Sequence, residues 1–220
     1  MKSSLLIGSL LTFTPIAHAQ WQTMVSREDI DLKVEVDSVP FEESEGVYLE
    51  TLSVDVFKGD RFLQRIIPPA NCTWDRFFPW PKVLMIEDVN FDGLEDIRLL
   101  SWHSIEFYPT YWYWMFNADS KSFERDSTMD EIVNPTFDHG DSVVHSWWRE
   151  GVTVFGNEEY EFDEEGKLIL VWSEVVGMMP GEDYALLVRT TLNNGELREE
   201  EIQLSEEEME QYTGRRRRPR

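Results

Sequence analysis

The chain has 220 residues, one cysteine and a formal net charge of −23, a length that suits one domain of ordinary size with a substantial core. With Cys72 alone no internal disulfide forms. So acidic a body repels nucleic acid and anionic lipid surfaces, which leaves basic proteins as its natural partners.

Residues 1–19, MKSSLLIGSLLTFTPIAHA, combine Lys2, an apolar run and an A-x-A-like end at Ala17 and Ala19. This is the pattern of a secretory signal peptide cleaved after Ala19, and it predicts an exported protein. No cysteine lies near the cleavage point to carry a lipid, and no later apolar run is long enough to span a membrane.

Residues 20–204 are expected to form a single β domain. GVYLETLSVDVF alternates and stops at Gly59-Asp60, after which RFLQRII runs to Pro68-Pro69, a hairpin pattern. The pattern recurs in YWYWMF and FERD around NADSKS, and in SVVHSWW and VTVFGNEEYEF around REG. KLILVWSEVV follows DEEG, and YALLVRTTL and ELREEEIQL flank NNG. Short strands punctuated by Gly, Asn and Asp predict an all-β fold of antiparallel hairpins: a sandwich, a barrel or an irregular β-propeller-like meander. Two segments depart from it. Residues 127–135, STMDEIVNP, read as a short helical turn capped by Ser127 and stopped by Pro135. Residues 205–220 begin with Ser205 and Glu208 at capping-box spacing, predicting a helical turn, and end in a basic tail, GRRRRPR, read as disordered.

The stretch EDVNFDGLEDIRLLSW places D-x-N-x-D-G-x-x-D immediately before a strand-like run. Oxygens of Asp88, Asn90, Asp92, the Leu94 carbonyl and Asp96 converge on one point in a tight loop of this spacing. Such hard oxygen donors suit Ca²⁺ rather than zinc or copper. Gly93 stands where these loops turn sharply. Leu99 occupies the position at which an EF-hand needs a bidentate glutamate, so the loop is of another kind, and its calcium is expected to be structural. A metal-free acidic Asx turn is the competing reading.

His103, His139 and His145 make no H-x-x-x-H pair, and there is no G-x-S-x-G elbow, phosphate loop or dinucleotide fingerprint. A secreted glycan-active enzyme stays open as a reading, but no carboxylate pair for glycoside hydrolysis stands out among 43 acidic residues. Trp112, Trp114, Trp147 and Trp148 are expected in the core rather than on a sugar platform. Glu106, Phe107, Tyr108 and Tyr111 read as an aromatic turn before the next strand, a candidate partner-binding element, with cover for the end of the core as the alternative.

In EDVNFDGLEDIRLL, the nearby YWYWMFNADSKSFERD and NPTFD, together with the leader, the sequence resembles the exported bacterial immunity proteins that inhibit lysozyme-like peptidoglycan hydrolase effectors. Members are notably paired with antibacterial type IV secretion systems. The resemblance covers mainly residues 83–138. It implies a periplasmic, β-propeller-like inhibitor with a structural calcium on Asp88, Asn90, Asp92, the Leu94 carbonyl and Asp96, a basic hydrolase as partner, and no catalysis. The lipobox cysteine of some members is missing. A calcium-dependent adhesion or scaffold module of FG-GAP type is the alternative; it predicts several such loops, and one is clear.

Overall fold

The computed structural model describes residues 21–27, 30–40, 47–70, 72–75, 82–103, 108–151, 153–178, 181, 183–205 and 207–209. Their strands assemble into three antiparallel sheets of five, four and six members, so the all-β expectation holds; closure into a propeller is not among the observed features. The chain divides into two compact units, residues 1–131 and 132–220. Every pairing of the six-stranded sheet joins strands adjacent in sequence, so the second unit satisfies its own ladders.

The first unit holds two sheets. One comprises β1 (Trp21–Arg27), β2 (Ile30–Pro40), β3 (Val47–Lys58), β4 (Arg61–Ile66) and β5 (Cys72–Asp75). β3 is its spine, pairing β2 along one edge and both β4 and β5 along the other. The two-residue turn after β3 needs a left-handed backbone, and Gly59 supplies it with φ +57°. The other sheet runs in order β6 (Leu84–Glu87), β7 (Asp96–His103), β8 (Pro109–Asn117) and β9 (Ser122–Asp126). Every residue from Asp96 to Leu100 is buried, so this stretch of β7 is covered on both faces. Ile97, Leu99 and Leu100 are fully buried, each contributing about 1.5–3 kcal/mol by leaving water.

A side chain ties the two sheets together. Gln64 of β4 donates its amide N–H to the Phe123 carbonyl at 2.8 Å and accepts the Phe123 N–H at 2.9 Å. It thereby satisfies the main chain of β9 as a neighbouring strand would.

The second unit is a meander of β10 (Thr136–Asp138), β11 (Val143–Glu150), β12 (Val154–Phe162), β13 (Leu168–Met178), β14 (Tyr184–Asn193) and β15 (Glu196–Ser205). Asn194 and Gly195 join the last two with φ +52° and +81°, the pair of left-handed residues that a type I′ turn demands. Val176, Ala185, Leu187 and Leu204 form its buried cluster, with Phe155, Ile202 and Met209 packed against it. Met209 reaches that cluster from a helical turn at residues 207–209 whose capping box forms as expected. The Ser205 N–H donates to Glu208 Oε2 at 2.9 Å, and the Glu208 N–H to Ser205 Oγ at 3.4 Å.

Two expectations are corrected. Residues 128–131 form turns rather than a helix. Asp126 Oδ1 accepts both the N–H and the hydroxyl of Thr128, so the side chain before Ser127 organises the segment, and one Asp130 N–H to Ser127 carbonyl bond closes the turn. Trp114 is buried as expected, but Trp147 is 41% exposed. Its cross-strand partner is Asn157, on the sheet's polar row beside Glu174 and Arg189.

Candidate functional site

The acidic loop is the connection between β6 and β7, closed at its base by the Glu87–Asp96 pair. Phe91 and Gly93 both adopt left-handed backbone, φ +62° and +85°. Gly93 does so without penalty, while Phe91 is an unusual residue for that region, so the tight course of the loop is imposed by its bonds. Those bonds are short-range Asx contacts. Asp88 Oδ2 accepts the Gly93 N–H at 3.0 Å, Asn90 Oδ1 the Asp92 N–H at 3.1 Å, and Asp92 Oδ1 the Leu94 N–H at 2.7 Å. The Asn90 amide also donates to Asp92 Oδ2 at 3.0 Å.

Asp96 plays a different part. It is fully buried, and its two oxygens accept main-chain N–H groups from two places: Val89 at 3.1 Å within the loop and Phe116 at 2.8 Å on β8. Burial is the main force on its carboxyl group, pushing the pKa up to about 7. The Phe116 and Val89 donors oppose that rise, and the neighbouring charges of Asp92 and Asp88 add to it.

The donor chemistry fits a hard cation. The side chains of Asp88, Asn90 and Asp92 and the Leu94 carbonyl lie on one eight-residue connection, and Asp96 closes it. Asp88 Oδ1 is buried without a hydrogen-bond partner, an acceptor that a cation would satisfy. Among the described residues no three acid, histidine or cysteine side chains gather into a metal cage.

Behind the loop lies a polar group that sequence reasoning did not single out. Arg98 Nη2 contacts Glu87 Oε2 at 2.9 Å, and the guanidinium sits 4.8 Å from the Tyr111 ring centroid. Alternation in IRLLSW places Arg98 on the face opposite Ile97 and Leu99, but nothing in the sequence shows that this face is also covered. Tyr111 is therefore corrected: it belongs to β8, not to a turn, and is 2% exposed. Burial raises its phenol to about 12, against the lowering influence of Arg98. Tyr108 is half-buried at the entry to β8. Glu106 and Phe107 lie outside the described residues.

No long apolar helix capable of crossing a membrane occurs among the described residues. The leader at residues 1–19 and the basic end of the tail also lie outside them. The chain matches no protein-family model, no curated protein and no solved structure.

Proposed function

We propose that this chain is a periplasmic immunity protein, exported by a leader cleaved after Ala19, that binds and inhibits a basic lysozyme-like peptidoglycan hydrolase effector and has no catalytic activity of its own. The observation that carries the reading is the Asp96 tie. It anchors the acidic loop to the β7–β8 hairpin at one end, and the connection that leads into Tyr108 lies at the other. A rigid hairpin presents an aromatic contact at low entropic cost. The net charge of −23 favours encounter with a basic enzyme.

Calcium belongs to this proposal as a structural ion. Asp88, Asn90, Asp92, the Leu94 carbonyl and Asp96 would hold it, and it would supply the positive charge that three neighbouring carboxylates lack. Four-stranded antiparallel meanders such as β6–β9 are the blades of β-propellers, which is the finer architecture this reading carries.

The test is capture from periplasmic extract and from a panel of basic muramidases, with calcium and with chelator, followed by a cell-wall lysis assay. Retention of a hydrolase whose lysis then stops supports the proposal. A folded, calcium-loaded protein that retains and inhibits none of them overturns it and favours the adhesion or scaffold reading.

A further inference from the structure

Among the described residues β15 is the last strand of its sheet and pairs only with β14. Along its other edge the outward main-chain N–H and C=O groups form an open template for one more strand. Its exposed side chains include Glu196, Glu199, Glu200 and Glu201 beside a single cation, Arg198. Alternation sends Glu199 and Glu201 to one face and Glu200 to the other. On the first face the residues opposite them on β14 are Thr190 and Val188, which bring no cation. On the second, Glu200 faces Arg189 at 3.4 Å, but that guanidinium is already engaged by the buried Glu174 at 3.0 Å.

A segment of this chain complements that edge in charge, spacing and reach. Residues 215–218 are four consecutive arginines, which an extended strand would present alternately to both faces. Beyond β15, Met209 is held against Leu204 and its neighbours. Residues 210–214 then span at most about 18 Å when extended. Glu201 precedes the end of β15 by about 14 Å. An antiparallel return is within that reach and would set residues 215, 216 and 217 alongside Glu201, Glu200 and Glu199. Pro219, which lacks an N–H, ends the pairing.

We propose that the arginine run at residues 215–218 docks as an added antiparallel strand on the free edge of β15, its side chains alternating between Glu199 and Glu201 on one face and Glu200 on the other. The docked tail covers the edge, offsets part of the negative charge and occupies a surface that another basic extended segment would otherwise take. The inference stands independently of the hydrolase reading.

The experiment is amide hydrogen exchange on the full-length chain at low salt. It compares the native sequence with a variant carrying Arg→Gln at residues 215–218 and with Glu199→Gln/Glu201→Gln. Opposite-charge cross-strand pairs of ordinary strength predict that β15 amides exchange about tenfold faster in either variant. The same change is expected for the native chain in 1 M salt, where the screening length falls to about 3 Å. Amides of β12 and β13 should stay unchanged. Exchanging the charges on one face, with Glu199→Arg/Glu201→Arg joined to Arg→Glu at residues 215 and 217, should restore protection. Equal exchange in all variants would show that the edge charges serve only to keep other strands away, and would overturn the proposal. Protection that grows with protein concentration would overturn it too, assigning the docked strand to a second copy's tail.

Discussion

The carboxylate of Asp96 accepts the main-chain N–H of Phe116, 20 positions away, at 2.8 Å, while its other oxygen holds Val89. One side chain thus links the loop, β7 and β8. An amide has a single acceptor oxygen, so Asp96→Asn leaves one of these N–H groups facing an NH₂ group. We expect a loss of about 1–3 kcal/mol in chemical denaturation, together with faster exchange of the Val89 or Phe116 amide. Unchanged stability and exchange would show that the tie is not structural.

Asp96 also predicts a pH dependence. Its carboxyl pKa is raised to about 7 in the folded chain, against about 3.9 when unfolded, so the folded state holds the proton more tightly. The contribution to stability is fully present below about pH 4 and is lost as pH rises through about 7. Calcium-free protein should therefore show a destabilising component across that window that Asp96→Asn removes. If calcium binds the loop, adding it should offset the loss at pH 7, because an ion that binds only the folded state stabilises it. Thermal scans from pH 4 to 8, with and without chelator, measure both effects.

Gly156 faces Trp148 across the β11–β12 ladder, and a Cβ built there would run into the indole ring. Gly156→Ala is expected to destabilise by about 1–3 kcal/mol through overpacking. In a Trp148→Ala background the same change should cost much less, a non-additivity that a double-mutant cycle reads directly. Additive effects would place the strain elsewhere.

Gln64 uses both ends of its amide on the Phe123 main chain. Gln64→Met keeps the length of the side chain and removes both bonds, with an expected cost of about 1–3 kcal/mol. Gln64→Glu retains the acceptor but sets a carboxylate against the Phe123 carbonyl at neutral pH. Its stability should recover as pH falls and the carboxyl gains a donor proton. Urea denaturation at pH 4 and pH 7 distinguishes the two variants.

Tyr108 and Tyr111 should separate recognition from support. Under the inhibitor proposal, Tyr108→Ala weakens hydrolase inhibition with little change in Tm. Tyr111→Ala, which empties a buried site beside Arg98, lowers stability by about 3–5 kcal/mol and reduces inhibition only through folding. Equal falls in Tm would remove Tyr108 from the interface.

Much of this architecture is written locally. Asn194-Gly195 and Gly59 supply backbone conformations that other residues resist, and β-rich runs on either side make those hairpins legible. The Ser205–Glu208 capping box and the tight D-x-N-x-D-G loop depend likewise on neighbours a few residues apart. What only the tertiary structure decided are contacts between residues far apart in sequence. Alternation could not show that β7 is covered on both faces, so Tyr111 passed for a surface residue. Nor could it show that Gln64 would stand in for a strand beside Phe123, or that Asp96 would reach Phe116. Periodicity along a strand tells which side chains share a face, while burial depends on what the rest of the chain lays against that face.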